Sequence, residues 1–226
     1  LEEWAEREAP KHAPDLRTAA VAGTSADRRR IFWESEADVV VCTYAAFLSY
    51  LCDRSDQGGG LLLSKERTAA FLGRFGCIVG DEFHFAKSHK SLTFKVLKLI
   101  RSSGLEYLYE LTGTPFGDDP HDLWAQFYLL DFGETLGATL GLFRAVFFTT
   151  KRNFWGGFVH TFKRSLKDDL NRIAANRSIR YEASEFDGLP PITGGIVSGG
   201  DLLIRRVRIS EAAQAYYDQT AEELRE

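Results

Sequence analysis

Cys77-Ile78-Val79-Gly80-Asp81-Glu82-Phe83-His84 sets two carboxylates and an imidazole directly behind a short apolar run, and Leu111-Thr112-Gly113-Thr114-Pro115 closes a second such run further along. Short apolar runs bounded by turn residues read as buried strands, and a helical stretch between two of them makes the strands parallel. In a parallel sheet flanked by helices, ligands sit outside the carboxyl ends of the strands. The residues just past Val79 and just past Leu111 are therefore expected to share one crevice.

The residue types suit a nucleotide there. Asp81 would hold Mg²⁺ through water, because Mg²⁺ takes few carboxylates and keeps much of its hydration shell. Glu82 would orient and deprotonate an attacking water. Thr112, Gly113 and Thr114 would form a hydroxyl-rich turn beside the phosphates of ATP, and His84 would hydrogen-bond across to Thr112 or Thr114. Each motif also has an ordinary reading. Asp-Glu behind a strand is commonly a solvated turn, and Thr-Gly-Thr-Pro suits a tight turn with Gly113 at positive φ and Pro115 fixing the exit. Their joint occurrence, in this order and each behind an apolar run, favours the nucleotide site.

Outward from this pair the alternation continues. Residues 17–22 and 38–42 read as strands. Residues 2–10, 26–36, 44–53, 64–74, 89–102 and 119–130 read as helices, the second opened by Ser25. Together with strands 77–80 and 107–111 this predicts an α/β fold, with four adjacent parallel strands, right-handed crossovers and flanking helices. Asp81 and Thr112 would lie at the same edge. Gly58-Gly59-Gly60 reads as a surface loop rather than a phosphate cradle, since no strand precedes it and no Lys follows. Beyond Gly133 the alternation stops. Residues 139–148 and 165–176 read as helices around a Trp155-Gly156-Gly157 turn, with Phe143, Phe147, Phe158 and Phe162 mostly as core. Trp155 suits either stacking on a nucleobase or packing on its own domain. Pro190-Pro191 and the glycine-rich stretch 194–200 read as a linker or hairpin, and 210–225 as a helix capped by Ser210 and Glu211.

On these residues the chain resembles the Swi/Snf-type DNA translocases of helicase superfamily two, and especially their shorter phage and bacterial relatives. The likeness runs through Val39-Val40-Val41-Cys42-Thr43-Tyr44, which is similar to the family's Ib strand, and through motif II at Asp81 to His84. It continues through Phe85-Ala86-Lys87-Ser88, motif III at Leu111 to Pro115, and Asp122-Leu123-Trp124. Leu189-Pro190-Pro191 and Val207-Arg208-Ile209-Ser210 with Tyr216-Tyr217 look like the passage into a second motor lobe. Two positions depart from the pattern: Gly117-Asp118-Asp119 stands where relatives usually carry Asn, and Gly80 where they carry an aliphatic residue. The resemblance implies a truncated P-loop NTPase fold, with a RecA-like lobe over 1–135, a helical insertion over 136–188, and a linker and the start of the second lobe over 189–226. It also implies contact with double-stranded DNA through Thr43 and Tyr44, and through Lys87 and Lys90 in the loop after motif II. For Thr43 and Tyr44 the competing reading is a helix cap.

No Gly in this chain is followed by Lys, so G-x-x-x-x-G-K-[ST] is not among its residues, and it has no Met. The chain reads as an internal piece of a longer motor, with the P-loop segment and the second lobe as its partners. By itself it is expected to bind ATP negligibly and to hydrolyse none. With 44% hydrophobic residues and no apolar run near the roughly 20 residues that cross a bilayer, a soluble, cytoplasmic protein of a phage or bacterial host is expected. Three cysteines without metal-ligand spacing fit a reducing compartment, and Cys42 and Cys77 read as small core residues. His12, His89, His121 and His160 show no metal-ligand spacing.

The net charge of −4 speaks against a nucleic-acid partner, but residues 144–180 hold nine Lys or Arg against two Asp. A local basic face suffices for phosphate contacts, which makes Lys163, Arg164 and Lys167 candidates; the alternative is a solvated helix face. Three functions of different class fit. One is an ATP-driven translocase on double-stranded DNA. Another is a non-catalytic DNA- or protein-binding module that kept the helicase fold. The third is a metal-dependent hydrolase using Asp81, Glu82 and His84 directly, which lacks a second ligand cluster.

Overall fold

A computed structural model describes residues 1–54, 60–113, 120–181 and Glu185. Thr114, Pro115, Gly117-Asp118-Asp119, Gly58-Gly59, Pro190-Pro191, the 194–200 stretch, the passage into a second lobe and the helix expected over 210–225 lie outside them. The chain divides into a compact unit, Leu1–Ser178, and a second unit, Ile179–Glu226, of which only residues 179–181 and Glu185 are described.

Side-chain caps decide where most helices of the first unit begin. A π-helical turn, Trp4–Glu8, runs into α1 (Ala9–His12). The hydroxyl of Thr24 accepts the Asp27 N–H at 3.2 Å while the Asp27 carboxylate accepts the Thr24 N–H at 3.3 Å. This capping box starts α2 (Ser25–Glu34), so Thr24 and not Ser25 is the cap. Thr43, Ser64, Ser91 and Thr139 each accept the N–H three residues on, opening α3 (Tyr44–Leu51), α4 (Lys65–Leu72), α5 (Leu92–Ser102) and α7 (Leu140–Phe147). The helix α6 (His121–Asp131) begins behind Pro120, and α8 is Lys167–Ala175.

Two parallel pairs form the α/β part. Strand β1 (Thr18–Ala20) pairs with β2 (Val39–Val41), and β5 (Cys77–Gly80) with β6 (Tyr107–Glu110), the latter in register Cys77↔Tyr107 to Gly80↔Glu110. Among the described residues the two pairs are not hydrogen-bonded to each other. The single sheet of four adjacent strands expected above is therefore two ribbons. Strands of three and four residues carry few ladder bonds, while α3, α4 and α5, which neighbour the ribbons in sequence, pack on one another.

The core is aromatic. Phe94, Val96, Leu97 and Ile100 of α5 meet Leu123, Trp124, Phe127 and Leu129 of α6, and Phe83, Phe47, Phe71, Phe143 and Phe147 complete it. Each such side chain contributes on the order of 2 kcal/mol by leaving water. Arg101 ties α5 to the end of α6, donating to the carbonyls of Leu129 and Leu130 at 2.9 and 2.8 Å. On β5 and β6, Cys77, Val79, Tyr107 and Tyr109 are exposed. A parallel pair is normally covered on both faces, so one face here is open, and Cys77 is not the core residue expected.

Two antiparallel hairpins were not legible as strands. Strand β3 (Cys52–Arg54) pairs with β4 (Leu61–Leu63), and β7 (Phe148–Arg152) with β8 (Phe158–Phe162). The second lies in the segment expected to be a helical insertion, between α7 and a 3₁₀ turn at Arg164–Leu166. Thr149, Thr150, Val159 and Thr161 are β-branched, which favours the pleated form. Phe158, expected in the core, is exposed there. Among the described residues no helix is long and apolar enough to cross a membrane.

Candidate active site

The parallel register of β5 and β6 brings the two sequence motifs to one place. The Leu111 N–H donates to the Gly80 carbonyl at 2.8 Å, and the Phe83 N–H donates back to the Leu111 carbonyl at 3.0 Å. Asp81-Glu82 and Thr112-Gly113 consequently leave the same end of one strand pair.

Glu82 sits at φ 49°, ψ 49°, the left-handed region that a non-glycine residue enters at a cost of about 1 kcal/mol or more. Two contacts hold it. Asp81 Oδ1 accepts the Glu82 N–H at 2.9 Å, and the ring of Phe83 is fully buried directly after it. The turn then runs into a 3₁₀ segment, Phe83–Ala86, and leaves both carboxylates exposed. Glu82 Oε2 lies 3.2 Å from His84 Nδ1, off the hydrogen-bond direction, so the nitrogen has no hydrogen-bond partner there. The imidazole stacks on Phe85 at 4.9 Å.

Tyr44 is the second support. Its hydroxyl donates to the Asp81 carbonyl at 2.8 Å and its ring packs on Phe85 at 5.1 Å. Burial, and then the neighbouring Asp81, Glu110 and Glu82, raise the pKa of the phenol, so it stays a donor. A Cβ on Gly80 would come within 2.3 Å of the Phe83 ring and 3.0 Å of the Tyr44 oxygen. That close approach explains glycine where an aliphatic residue was expected. The same hydrogen bond joins the end of the β2–α3 connection to the acidic turn.

The expected DNA-facing residues are distributed differently. The hydroxyl of Thr43 is used as the α3 cap, accepting the Ala46 N–H at 3.2 Å. Lys87 Nζ lies 3.0 Å from Asp122 Oδ2, tying the loop after the acidic turn to the start of α6. Lys90 is exposed. Lys163 Nζ donates to the carbonyls of Val146 at 2.7 Å and Ala145 at 3.4 Å, at the carboxyl end of α7, where a cation meets the negative pole of the helix. Arg164 and Lys167 are exposed.

Sequence reading missed Glu110, the last residue of β6 and the register partner of Gly80. Its Oε1 is buried with no hydrogen-bond partner among the described residues. Burial pushes its pKa up to about 9, Arg101 opposing and Asp131 adding to the shift. The guanidinium of Arg101 already serves the α6 carbonyls. A Glu inside the apolar run before Leu111-Thr112 was the available signal.

Asp81 keeps one carboxylate oxygen clear of the Glu82 amide, which fits a cation held through water. Among the described residues no three of His, Cys, Asp or Glu converge as a metal centre. The hydrolase reading with three direct ligands therefore has no cluster there.

No protein-family model and no curated protein matches the chain. Among solved structures it is similar to the SWI2/SNF2 ATPase core of Sulfolobus solfataricus in complex with dsDNA, at 27% sequence identity and a TM-score of 0.44. The match covers 65% of this chain and 26% of that one, so the chain spans about a quarter of its length.

Proposed function

We propose that the chain is part of an ATP-driven translocase on double-stranded DNA, of the Swi/Snf type, contributing a RecA-like lobe. One observation carries the reading: two carboxylates and a threonine turn leave the same end of one parallel strand pair, laced by backbone hydrogen bonds between Gly80, Phe83 and Leu111. That end is where α/β sheets bind ligands.

ATP with Mg²⁺ supplies the transferable phosphoryl group. Asp81 holds the cation's hydration shell, and Glu82, exposed and fixed by its left-handed backbone, takes the proton of the attacking water. His84 stands beside the Glu82 carboxylate, its Nδ1 3.2 Å from Oε2. Thr112 and Gly113 stand on the phosphate side, and Thr114 is assigned to it from the motif alone. Tyr44 couples the Ib segment to the acidic turn through the Asp81 carbonyl, and Arg164 and Lys167 meet DNA phosphates with Lys90. The phosphate cradle has to come from outside these 226 residues, because no Gly-Lys step occurs among them.

In a protein that carries this chain together with a G-x-x-x-x-G-K-[ST] segment, Glu82→Gln keeps ATP binding and lowers DNA-stimulated turnover by at least ~10²-fold. Steady-state rates near those of the unmodified protein would reject Glu82 as the base.

A further inference from the structure

The β7–β8 hairpin is anchored at one end and bare at the other. At its base Phe148 is buried, 5.6 Å from the rings of both Phe143 and Phe162. At its tip Phe154 and Trp155 are 92% and 88% exposed. Two adjacent large aromatics held in water are costly unless something covers them.

The tip is built to hold them out. Asn153 Oδ1 accepts the Gly157 N–H at 2.7 Å, and the Asn153 N–H donates to the Gly157 carbonyl at 2.8 Å. Gly156 has φ +81°, and a Cβ on Gly157 would meet the Asn153 side chain at 3.0 Å. The loop is thus closed by its own hydrogen bonds, with the two rings 5.3 Å apart and their planes 87° to each other. Five residues at ~3.3 Å each put the tip about 16 Å from the base, deeper than either groove of a duplex. Lys151 and Arg152 are exposed just before the tip, Arg164 and Lys167 just after the hairpin. From Arg144 to Lys167 there is no Asp or Glu. A polyanion with flat apolar faces is the complement of such a surface.

We propose that the β7–β8 hairpin is a DNA-binding pin whose tip stacks on unpaired nucleobases while Lys151 and Arg152 take the adjoining phosphates. This rests on the DNA reading above and adds which feature of DNA is engaged. Aromatic–base stacking tolerates any sequence, since every base has a π-face. The two rings are nearly perpendicular, so they do not both enter one base step. Trp155 covers the base and Phe154 buttresses it from the side.

The test titrates the full 226-residue chain against a duplex bearing a single-stranded overhang with 2-aminopurine, and against the blunt duplex. The double variant Phe154→Ala/Trp155→Ala is expected to bind the overhang DNA about tenfold more weakly and to lose the 2-aminopurine quench. Its affinity for the blunt duplex and its thermal stability should stay unchanged, and Trp155→Tyr should recover most of the loss. Unaltered binding of the overhang DNA by the double variant overturns the pin alone. Equal loss on both DNAs overturns it too, because the rings would then not be reading unpaired bases. Loss of self-association in ultracentrifugation with DNA binding intact would assign the rings to a second copy of the chain. A wild-type chain without affinity for either DNA overturns the pin and the DNA reading together.

Discussion

Glu110 ends β6 with an orphaned, buried carboxyl beside the acidic turn, and its titration gives the residue scale a measurable consequence. Its folded pKa is raised to about 9, against about 4.3 in an unfolded chain. Between those values the unfolded state has lost a proton that the folded state keeps, so this group lowers stability as pH rises through that window and is neutral below it. Glu110→Gln is expected to raise the melting temperature by about 3 °C or more at pH 8 and to leave it unchanged at pH 4. Parallel melting curves of the two proteins across that range would show the carboxyl to be solvated. Gly80 is the other decisive residue. Its missing side chain is the space filled by Phe83 and approached by Tyr44, and no local sequence rule announces that.

At the scale of elements, most helices were legible because they have a local cause. The capping residues Ser64, Ser91, Thr43 and Thr139 and the periodic apolar faces act within one or two turns. Strand pairing is non-local, and there the expectation of one four-stranded sheet gave way to two ribbons. The β7–β8 hairpin escaped for another reason: Thr149-Thr150-Lys151-Arg152, before the Asn153 to Gly157 turn, lacks the regular apolar alternation that marks a strand. Lys163 separates the two readings of the basic segment. Because its ammonium serves the last carbonyls of α7, Lys163→Ala is expected to cost about 1 kcal/mol of stability in urea denaturation. Lys167→Ala, on an exposed position, should stay within about 0.5 kcal/mol of the parent. Equal losses would mean that Lys163 caps nothing.

Over the whole molecule, charge is unevenly distributed along the chain. The chain is acidic overall, yet residues 144–180 hold nine Lys or Arg against two Asp, and an open face of Val79, Tyr107 and Tyr109 lies on the β5–β6 pair. If Arg164 and Lys167 meet phosphates, replacing both by Ala should weaken binding by similar factors on unrelated duplexes. It should also flatten the dependence of log affinity on log salt by up to about 2. An unchanged slope in a salt-series titration would make them a solvated helix face. The basic residues outside this segment, Lys90 among them, are unchanged in that variant, so the change in slope reports Arg164 and Lys167 alone.

The order of the motifs, the type of most helices and the identity of the acidic turn were determined by the sequence itself, because apolar periodicity and capping act over a few residues. That Asp81 and Thr112 leave one edge was expected from the strand ends and is what the β5–β6 register shows; only the tertiary structure decided that Tyr44 supports the acidic turn, and that Lys87 and Lys163 are taken up by Asp122 and by the end of α7. The reason is range. Each of these contacts joins residues separated along the chain, and no rule that acts over a few residues specifies such a pair.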